Sequence, residues 1–223
     1  QLTTLNGSFS MSYVAIGTAF AGTGTELFNR FLSYRSAIQS RLQNKYNPVT
    51  PFALNSDDVL VPAFLAAYGG RSTENVTLSA IPTFWSFLPN WQVSCSALMR
   101  IPWFQENFRS FNLTHAYTCK YQIGSYNADQ TFVGVEGFGD DFGYIEDVLT
   151  GGSTPSSRYT FSAVTINEQF SPLVGIDVNM KNSFSFKAEW RKGRNMGLNL
   201  SSNQLVESHN NEYVVGIGYK FSD

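Results

Sequence analysis

The sequence predicts an all-β protein with short helical insertions, built as the wall of an antiparallel transmembrane β-barrel. Long stretches of the 223-residue chain alternate apolar and polar residues with a period of two, the pattern of a strand with two different faces. Charged residues make up only 14% of the chain, against roughly 25% in an ordinary soluble domain. No run approaches the about 18 apolar residues of a spanning helix, so strands would have to make any membrane crossing.

The first half of the chain combines strands with two helical insertions. Residues 3–18 alternate and predict a strand. Apolar residues recur at helical spacing over about 25–44, and a second helix is predicted over about 57–68, where Pro62 is expected to fit only near the first turn. Strands are then predicted at 90–97 and 110–126, and the second is long enough to cross a bilayer when tilted.

The second half is predicted to be a loop followed by a strand meander. Residues 127–158 are rich in Gly, Asp and Ser without a sustained period, which indicates a long exposed loop. The terminal meander, about 159–221, is predicted as five strands near 159–169, 173–181, 183–191, 196–205 and 212–221, with short connections at Pro172, Asn182 and Gly193. The stretch Glu168–Pro172 is interpreted as a turn, and His209 is placed in a polar hairpin loop.

The meander strands predict two surfaces of opposite character. From Ser183 to Arg191 one parity is charged and the other is aromatic, so one face should contact water and the other lipid or a second protein layer. The predicted lumen-lining residues are Asp177, Asn179, Lys187, Glu189, Arg191, Asn199 and Lys220. The predicted lipid-facing residues are Phe184, Phe186, Trp190, Tyr213, Tyr219 and Phe221. Alternation alone does not separate lipid from a buried core, but the aromatic residues at the strand ends favour lipid.

Residues typical of catalysis or ligand binding are sparse. The only histidines are His115, for which a structural role is favoured, and His209, and no metal-ligand or nucleophile motif is found. The acidic cluster near Asp140 offers oxygen ligands, yet its spacing differs from that of a calcium loop and favours a hydrated surface. We therefore expect no catalytic residue, no cofactor and no metal site. The net charge of -2 and the scattered basic residues argue against a nucleic-acid partner.

Two cysteines, Cys95 and Cys119, lie on the apolar parity of two predicted strands. A disulfide would require those strands to be neighbours in matching register. Unpaired thiols are the favoured interpretation, and a disulfide stays open.

Four stretches of the chain resemble one known family. They are "VLVPAFLAAY" (59–68), "LPNWQV" (88–93), "FRSFNLTHAYTCKYQIGSY" (108–126) and the run from "INEQFSPLVGIDVNMKN" to "EYVVGIGYKF" (166–221). In these stretches the chain is similar to the SprA/Sov family, the outer-membrane translocon proteins of the bacterial type IX secretion system. The first strand and helix agree with the family more loosely.

The resemblance implies that the chain is the C-terminal portion of a giant barrel in the bacterial outer membrane, through which folded cargo proteins leave the periplasm. The implied partners are the remainder of the giant barrel, a PorV-like outer-membrane barrel protein, a plug protein, a peptidyl-prolyl isomerase, the secreted cargo and outer-membrane lipid. The family brings no catalytic residues. Since 223 residues are too few to close a giant barrel, we expect a fragment or a separately encoded piece.

Two alternatives remain open from the sequence. The first is a self-contained small outer-membrane barrel, porin-like or adhesin-like, since eight strands suffice for the smallest barrels. The second is a secreted β-sandwich in which a second sheet buries the aromatic face. Both barrel hypotheses predict that the protein needs detergent, whereas the sandwich predicts a protein that is soluble without it.

Overall fold

Antiparallel β-sheet makes up most of the fold, together with a few short helices. A computed structural model describes residues 6–20, 24–81, 89–146 and 151–221. The strands are β1 Asn6–Ser12, β2 Trp91–Cys95, β3 Phe108–Ala128, β4 Phe132–Gly134, β5 Gly143–Glu146, β6 Ser153–Ser156, β7 Tyr159–Phe161, β8 Ala163–Met180, β9 Phe184–Asn199 and β10 Gln204–Tyr219. The helices are α1 Ile16–Ala19, α2 Gly24–Tyr46, α3 Asp57–Gly69 and α4 Pro102–Asn107, with a 3-10 turn at Ala97–Arg100 before α4.

The main sheet is antiparallel and has the order β1-β3-β8-β9-β10. Strands β1 and β2 both pair with β3, on the side opposite to β8, and β7 continues the line of β8 along β3. Within the described ranges this sheet is open rather than closed into a barrel, with β10 at one edge. The small self-contained barrel is therefore not formed by the part of the chain that the structure describes.

Three long strands replace the five predicted for the meander. Of the predicted connections, only the turn at Asn182 exists, because β8 runs through Pro172 and β9 runs through Gly193. A bulge after Phe170, with a cis peptide before Pro172, accommodates a residue that has no N–H for the strand ladder. The stretch Glu168–Pro172 is thus part of a strand, and so is His209, which pairs with Arg194 in the ladder of β10 and β9.

Helix α3 forms the middle layer of the core, between α2 and the sheet. Every residue from Val59 to Gly69 is buried, as expected for a helix that is apolar all round. The helix ends at Gly70, whose φ of 67° is the left-handed conformation that favours glycine. Pro62 lies in the second turn, beyond the first turn to which its fit was expected to be limited, so its ring nitrogen leaves the Asp58 carbonyl without the usual helical donor.

Helix α2 packs on α3 with one face. Its buried residues recur at helical spacing and are Leu27, Phe31, Ile38, Leu42 and Tyr46. The helices at Gly24–Tyr46 and Asp57–Gly69 form where the apolar spacing predicted them.

The predicted loop at 127–158 contains a second, three-stranded sheet of order β4-β5-β6. It packs through aromatic rings rather than lying fully exposed. The buried ring of Phe142 stacks on Tyr46 of α2, with centroids 4.6 Å apart and planes at 12°. At Gly143 a Cβ atom would come within 2.3 Å of the Val133 carbonyl oxygen, so this strand pairing requires glycine. The absence of a period in the sequence reflects strands too short to show alternation.

Two carboxylates at the start of α3 accept hydrogen bonds from the end of β6 and from the end of β7. Asp58 accepts hydrogen bonds from the Ser157 backbone N–H at 3.1 Å and from the Ser156 hydroxyl at 3.3 Å. Asp57 accepts one from the Phe161 backbone N–H at 3.0 Å. Burial raises the pKa of Asp58 to about 6 and also raises the pKa of Asp57.

The raised pKa of Asp58 predicts a pH-dependent stability. A carboxyl group that binds its proton more tightly in the folded chain stabilises folding below about pH 4 and loses this contribution as the pH rises through about 6. Relative to Asp58→Asn, whose amide does not titrate, the wild-type free energy of unfolding should fall by about 2 to 3 kcal/mol between pH 4 and 7. Urea unfolding at several pH values measures the difference. The exposed Asp141→Asn is the control, and a flat difference for Asp58→Asn would contradict the prediction.

Candidate membrane-facing and pore-lining surfaces

The strand register sorts the predicted site residues onto the two faces of the sheet. Asp177 lies opposite Lys187, and Asn179 lies opposite Ser185. The seven predicted lumen-lining residues all belong to this side, which we call the polar face: Asp177, Asn179, Lys187, Glu189, Arg191, Asn199 and Lys220. The grouping therefore agrees with the sequence-based pattern, and what this face contacts is a separate question.

Charges on the polar face are balanced. The Glu189 carboxylate forms ion pairs with the Lys187 ammonium group at 2.8 Å and with the Arg191 guanidinium group at 2.6 Å. Arg191 also reaches Glu212 on β10 at 3.5 Å. Such exposed pairs contribute only about 0 to 1 kcal/mol each to stability. Their effect is on the surface itself, which carries polar groups of both signs instead of a single-sign field.

The opposite face carries an uncovered apolar region that we call the apolar band. It consists of Phe111 and Leu113 of β3, Val174 and Ile176 of β8, Phe184, Phe186, Ala188 and Trp190 of β9, and Tyr213, Val215, Ile217 and Tyr219 of β10. It includes five of the six predicted lipid-facing residues. The sixth, Phe221, lies just beyond β10 with its ring 4.9 Å from that of Tyr219. On the edge strand the exposure is high, at 71% for Tyr213 and 69% for Ile217.

Aromatic side chains border the apolar band at both ends. At the border nearer to helices α1–α3, Trp190 stacks on Tyr213, with ring centroids 5.9 Å apart. At the border nearer to the β8–β9 turn lie Phe184 and Tyr219, which pair across β9 and β10. The two borders, Phe184 and Trp190, lie six positions apart along β9, which corresponds to about 20 Å of strand. An apolar surface with aromatic borders and this height resembles the lipid-facing surface of an outer-membrane barrel, about 25 Å tall.

Beyond the Trp190 end of the apolar band, the same face of the sheet is covered by helices. The strands continue without a break, and Ile166, Met196 and Leu198 lie buried on the same parity as the band residues. We call α1–α3 together the helical cap. The sequence pattern treated these stretches as separate strands and so missed that one continuous face is covered at one end and open at the other.

A buried cluster around Arg194 fastens the helical cap to the sheet. Arg194 pairs with Glu168 at 2.8 Å, and both side chains are 2% exposed or less. The Tyr117 hydroxyl donates to Glu168 at 2.7 Å and accepts from the Ala15 backbone N–H at 2.9 Å. Arg194 also donates to the Thr18 carbonyl at 2.9 Å and to the Ala15 carbonyl at 3.3 Å. Both charges are therefore paired and hydrogen-bonded, the condition under which buried ions are tolerated.

A second cation lies between the Arg194 cluster and the apolar band. The Lys192 ammonium group donates to the Ala19 carbonyl at 2.8 Å and lies 4.2 Å from the centre of the Phe20 ring. Phe20 itself is largely exposed, at the underside of the helical cap. A lysine beside aromatic rings at the border of an apolar surface is typical of a membrane interface.

Comparisons with known proteins assign no family to the chain. No protein-family model matches it. No curated protein matches it either. Among the residues that the structure describes, no helix is long and apolar enough to cross a membrane. The geometry of the two faces therefore carries the functional argument.

The remaining candidate residues make contacts that are typical of a structural role. Cys95 and the buried Cys119 are both free thiols, so the favoured interpretation of the cysteines is confirmed. The His115 ring Nδ1 lies 2.7 Å from the Leu173 carbonyl oxygen, a contact between two strands. Asp140 pairs with Arg158 at 3.1 Å. Within the described ranges no three His, Cys, Asp or Glu side chains converge on a metal-sized site, and Asp147, the last residue of the acidic cluster near Asp140, lies outside those ranges.

Sequence reasoning missed the two residues that matter most for attaching the helical cap. Glu168 was assigned to a turn, and Arg194 was assigned next to a connection at Gly193. A usable signal was present, because each residue sits on the apolar parity of its stretch and the two have opposite charge. Opposite charges on a buried parity indicate an internal ion pair as readily as a loop.

Proposed function

We propose that this chain forms part of the wall of a protein-conducting channel in the bacterial outer membrane, the translocon of type IX secretion. One observation carries the proposal: a single sheet whose exposed apolar band, bordered by aromatic rings, is backed by a charge-balanced polar face. Such a sheet has one surface suited to lipid and one suited to water, which is the requirement for a barrel wall.

Lipid is the better environment for the apolar band. Large contiguous apolar surfaces are uncommon on soluble monomers, and removing apolar area from water contributes about 25 cal/mol per Å². The helical cap buries the upper part of this face, whereas band residues such as Ile217 and Val215 stay open. A secreted sandwich would need a second sheet over the apolar band, and none covers it in the part of the chain that the structure describes.

The free edge of β10 supports a wall that continues beyond this sheet. In the described ranges β10 pairs along its length with β9 and presents its other edge outward. Unpaired backbone groups are too costly to leave in hydrocarbon, so a further strand must pair there if the band is in lipid. The remainder of a giant barrel would supply that strand.

The two ends of the sheet suggest an orientation. The β8–β9 turn at Asn182 and the β9–β10 turn at residues 200–203 are both short, but the helical cap stands only at the end of the sheet that holds the second turn. Outer-membrane barrels have short turns on the periplasmic side and longer segments outside. The turn at Asn182 would therefore face the periplasm, and the helical cap would lie above the outer leaflet.

The wall would act passively. A lining with polar groups of both signs offers no apolar patch on which a passing folded protein would stick. Width and gating would then come from the partners: a PorV-like barrel protein that collects cargo, a plug protein and a peptidyl-prolyl isomerase.

Photo-cross-linking from the two faces tests this function. A photoreactive side chain in place of Lys187 should form adducts with exported proteins during secretion, because it would face the channel. The same group in place of Ile217 should form adducts with lipid. Mass spectrometry of the adducts reads out both variants, which share one depth in the wall. Exported proteins attached equally at both positions, or at neither, would overturn the assignment of the polar face to the channel.

A further inference from the structure

The connection between β2 and β3 places a short aromatic segment at the end of the apolar face that is nearest to the β8–β9 turn. This segment, Ala97–Asn107, consists of the 3-10 turn and α4, and we call it the foot. The ring of Phe104 packs edge-on against Phe111 at 5.1 Å and lies 5.5 Å from Phe108. Because Phe111 belongs to the apolar band, the foot lies on the same face as the band, at the end opposite the helical cap.

The outer surface of the foot is apolar and open. Trp103 is 60% exposed and Ile101 is 45% exposed, although both neighbour a packed aromatic cluster. An indole on an exposed one-and-a-half-turn helix is costly to leave in water and has a polar N–H that favours a wet boundary. The foot is also held in place, because the Lys181 backbone N–H donates to the Asn107 carbonyl at 3.1 Å.

Cations surround the foot. Exposed positive side chains in the foot and in the segments joined to it are Arg100, Arg109 and Lys181, against one exposed carboxylate in the foot, Glu106. Arg109 donates to the Lys181 carbonyl at 3.3 Å, and none of the three makes an ion pair with the described residues. The positive excess lies beside exposed Trp and Ile side chains, which is the arrangement that favours a layer of phosphate groups above hydrocarbon.

We propose that the foot binds the phospholipid surface of the leaflet nearest the β8–β9 turn, with Trp103 and Ile101 at the boundary between headgroups and acyl chains and the cations Arg100, Arg109 and Lys181 beside the phosphates. The inference rests on the proposed function, since the apolar band must be in lipid for the foot to lie at its border. It assigns named residues to one surface of the membrane. It also predicts that this surface prefers anionic headgroups.

Depth-dependent quenching of tryptophan fluorescence tests the position of the foot. The full chain is reconstituted into phosphatidylcholine vesicles whose acyl chains carry bromine near the headgroup or near the chain end. The Trp103 signal is the difference between wild type and Trp103→Phe, and the Trp190 signal is the difference between wild type and Trp190→Phe. We expect bromine near the headgroup to quench Trp103 at least about twofold more than bromine near the chain end. Trp190, in the apolar band, should be quenched by lipid in the same vesicles.

The outcomes separate the two proposals. Quenching of Trp190 without quenching of Trp103 would overturn the foot and leave the membrane wall intact. Quenching of neither tryptophan would overturn the wall, and the foot with it. Stronger quenching of Trp103 by bromine near the chain end would place the foot inside the hydrocarbon and would also overturn its assignment to the headgroup boundary.

The charge preference has its own measurement. At equal mole fraction in unlabelled phosphatidylcholine, brominated phosphatidylglycerol should quench Trp103 more than brominated phosphatidylcholine does. The double variant Arg100→Gln with Lys181→Gln should bring the two values together, while Lys187→Gln on the polar face should leave the difference unchanged. Equal quenching by both lipids in the wild type would contradict a site built for anionic headgroups.

Discussion

Glu168→Ala is expected to cost about 3 to 5 kcal/mol of unfolding free energy, the largest effect of any single substitution considered for this chain. The substitution leaves the Arg194 guanidinium, whose side chain is 2% exposed, without its counter-charge. It also removes the acceptor of the Tyr117 hydroxyl. Since Arg194 and Tyr117 both contact α1, the helical cap should detach from the sheet. Urea unfolding of the detergent-solubilised chain measures the cost.

Two further variants control this result. Glu189→Ala removes a carboxylate of the polar face that is also paired with an arginine, and it should cost no more than about 1 kcal/mol. The double variant Glu168→Leu with Arg194→Met replaces the buried pair by apolar side chains and should regain most of the stability lost in the single variant. If Glu168→Ala cost as little as Glu189→Ala, the Arg194 cluster would not be what holds the helical cap.

Ile217→Arg is expected to reduce membrane assembly sharply. If Ile217 faces lipid near the middle of the bilayer, an arginine there costs about 2 to 4 kcal/mol. On a water-exposed sheet the same substitution would be close to neutral, within about 0.5 kcal/mol, because the side chain is 69% exposed and little packing is lost. The fraction of protein that stays in the outer membrane after alkaline extraction is the measurement.

The matched control lies one residue away. Gly216 sits on the polar face of the same strand, where an added Cβ meets only the Lys187 Cβ at an ordinary 3.8 Å. Gly216→Arg introduces the same charge at the same depth and should assemble like wild type. Equal assembly of both arginine variants would contradict the assignment of the apolar band to lipid. It would favour the soluble β-sandwich instead.

The two helices and the two-faced strands were predictable because their signals are local. Apolar residues at helical spacing in α2 and strict alternation in β9 each report the environment of one element without reference to any other. The grouping of Lys187 with Asp177, or of Trp190 with Tyr213, follows from alternation once the strands pair in register. These parts of the candidate site therefore needed no tertiary information.

The continuity of β8 and β9 was not predictable in the same way. Lys192, Gly193 and Arg194 interrupt the apolar parity of β9, and polar residues with a glycine normally indicate a turn. In the fold they meet α1, which lies more than 170 residues earlier in the chain and supplies carbonyl acceptors for both cations. A local pattern cannot show that a distant segment satisfies these charges. The helical cover over Met196 and Leu198 was hidden for the same reason.

The strand order has a consequence for how the chain folds. Pairing Asn6 of β1 with Asn127 of β3 closes a loop of about 120 residues, whereas residues 200–203 suffice to join β9 to β10. The longer closure costs about 3 kcal/mol more in chain entropy than a closure of about four residues. Phe9 and Met11 recover this cost only once the buried core against which they pack has formed. The three C-terminal strands can thus pair through nearby contacts first, and the amino-terminal strand completes the sheet last.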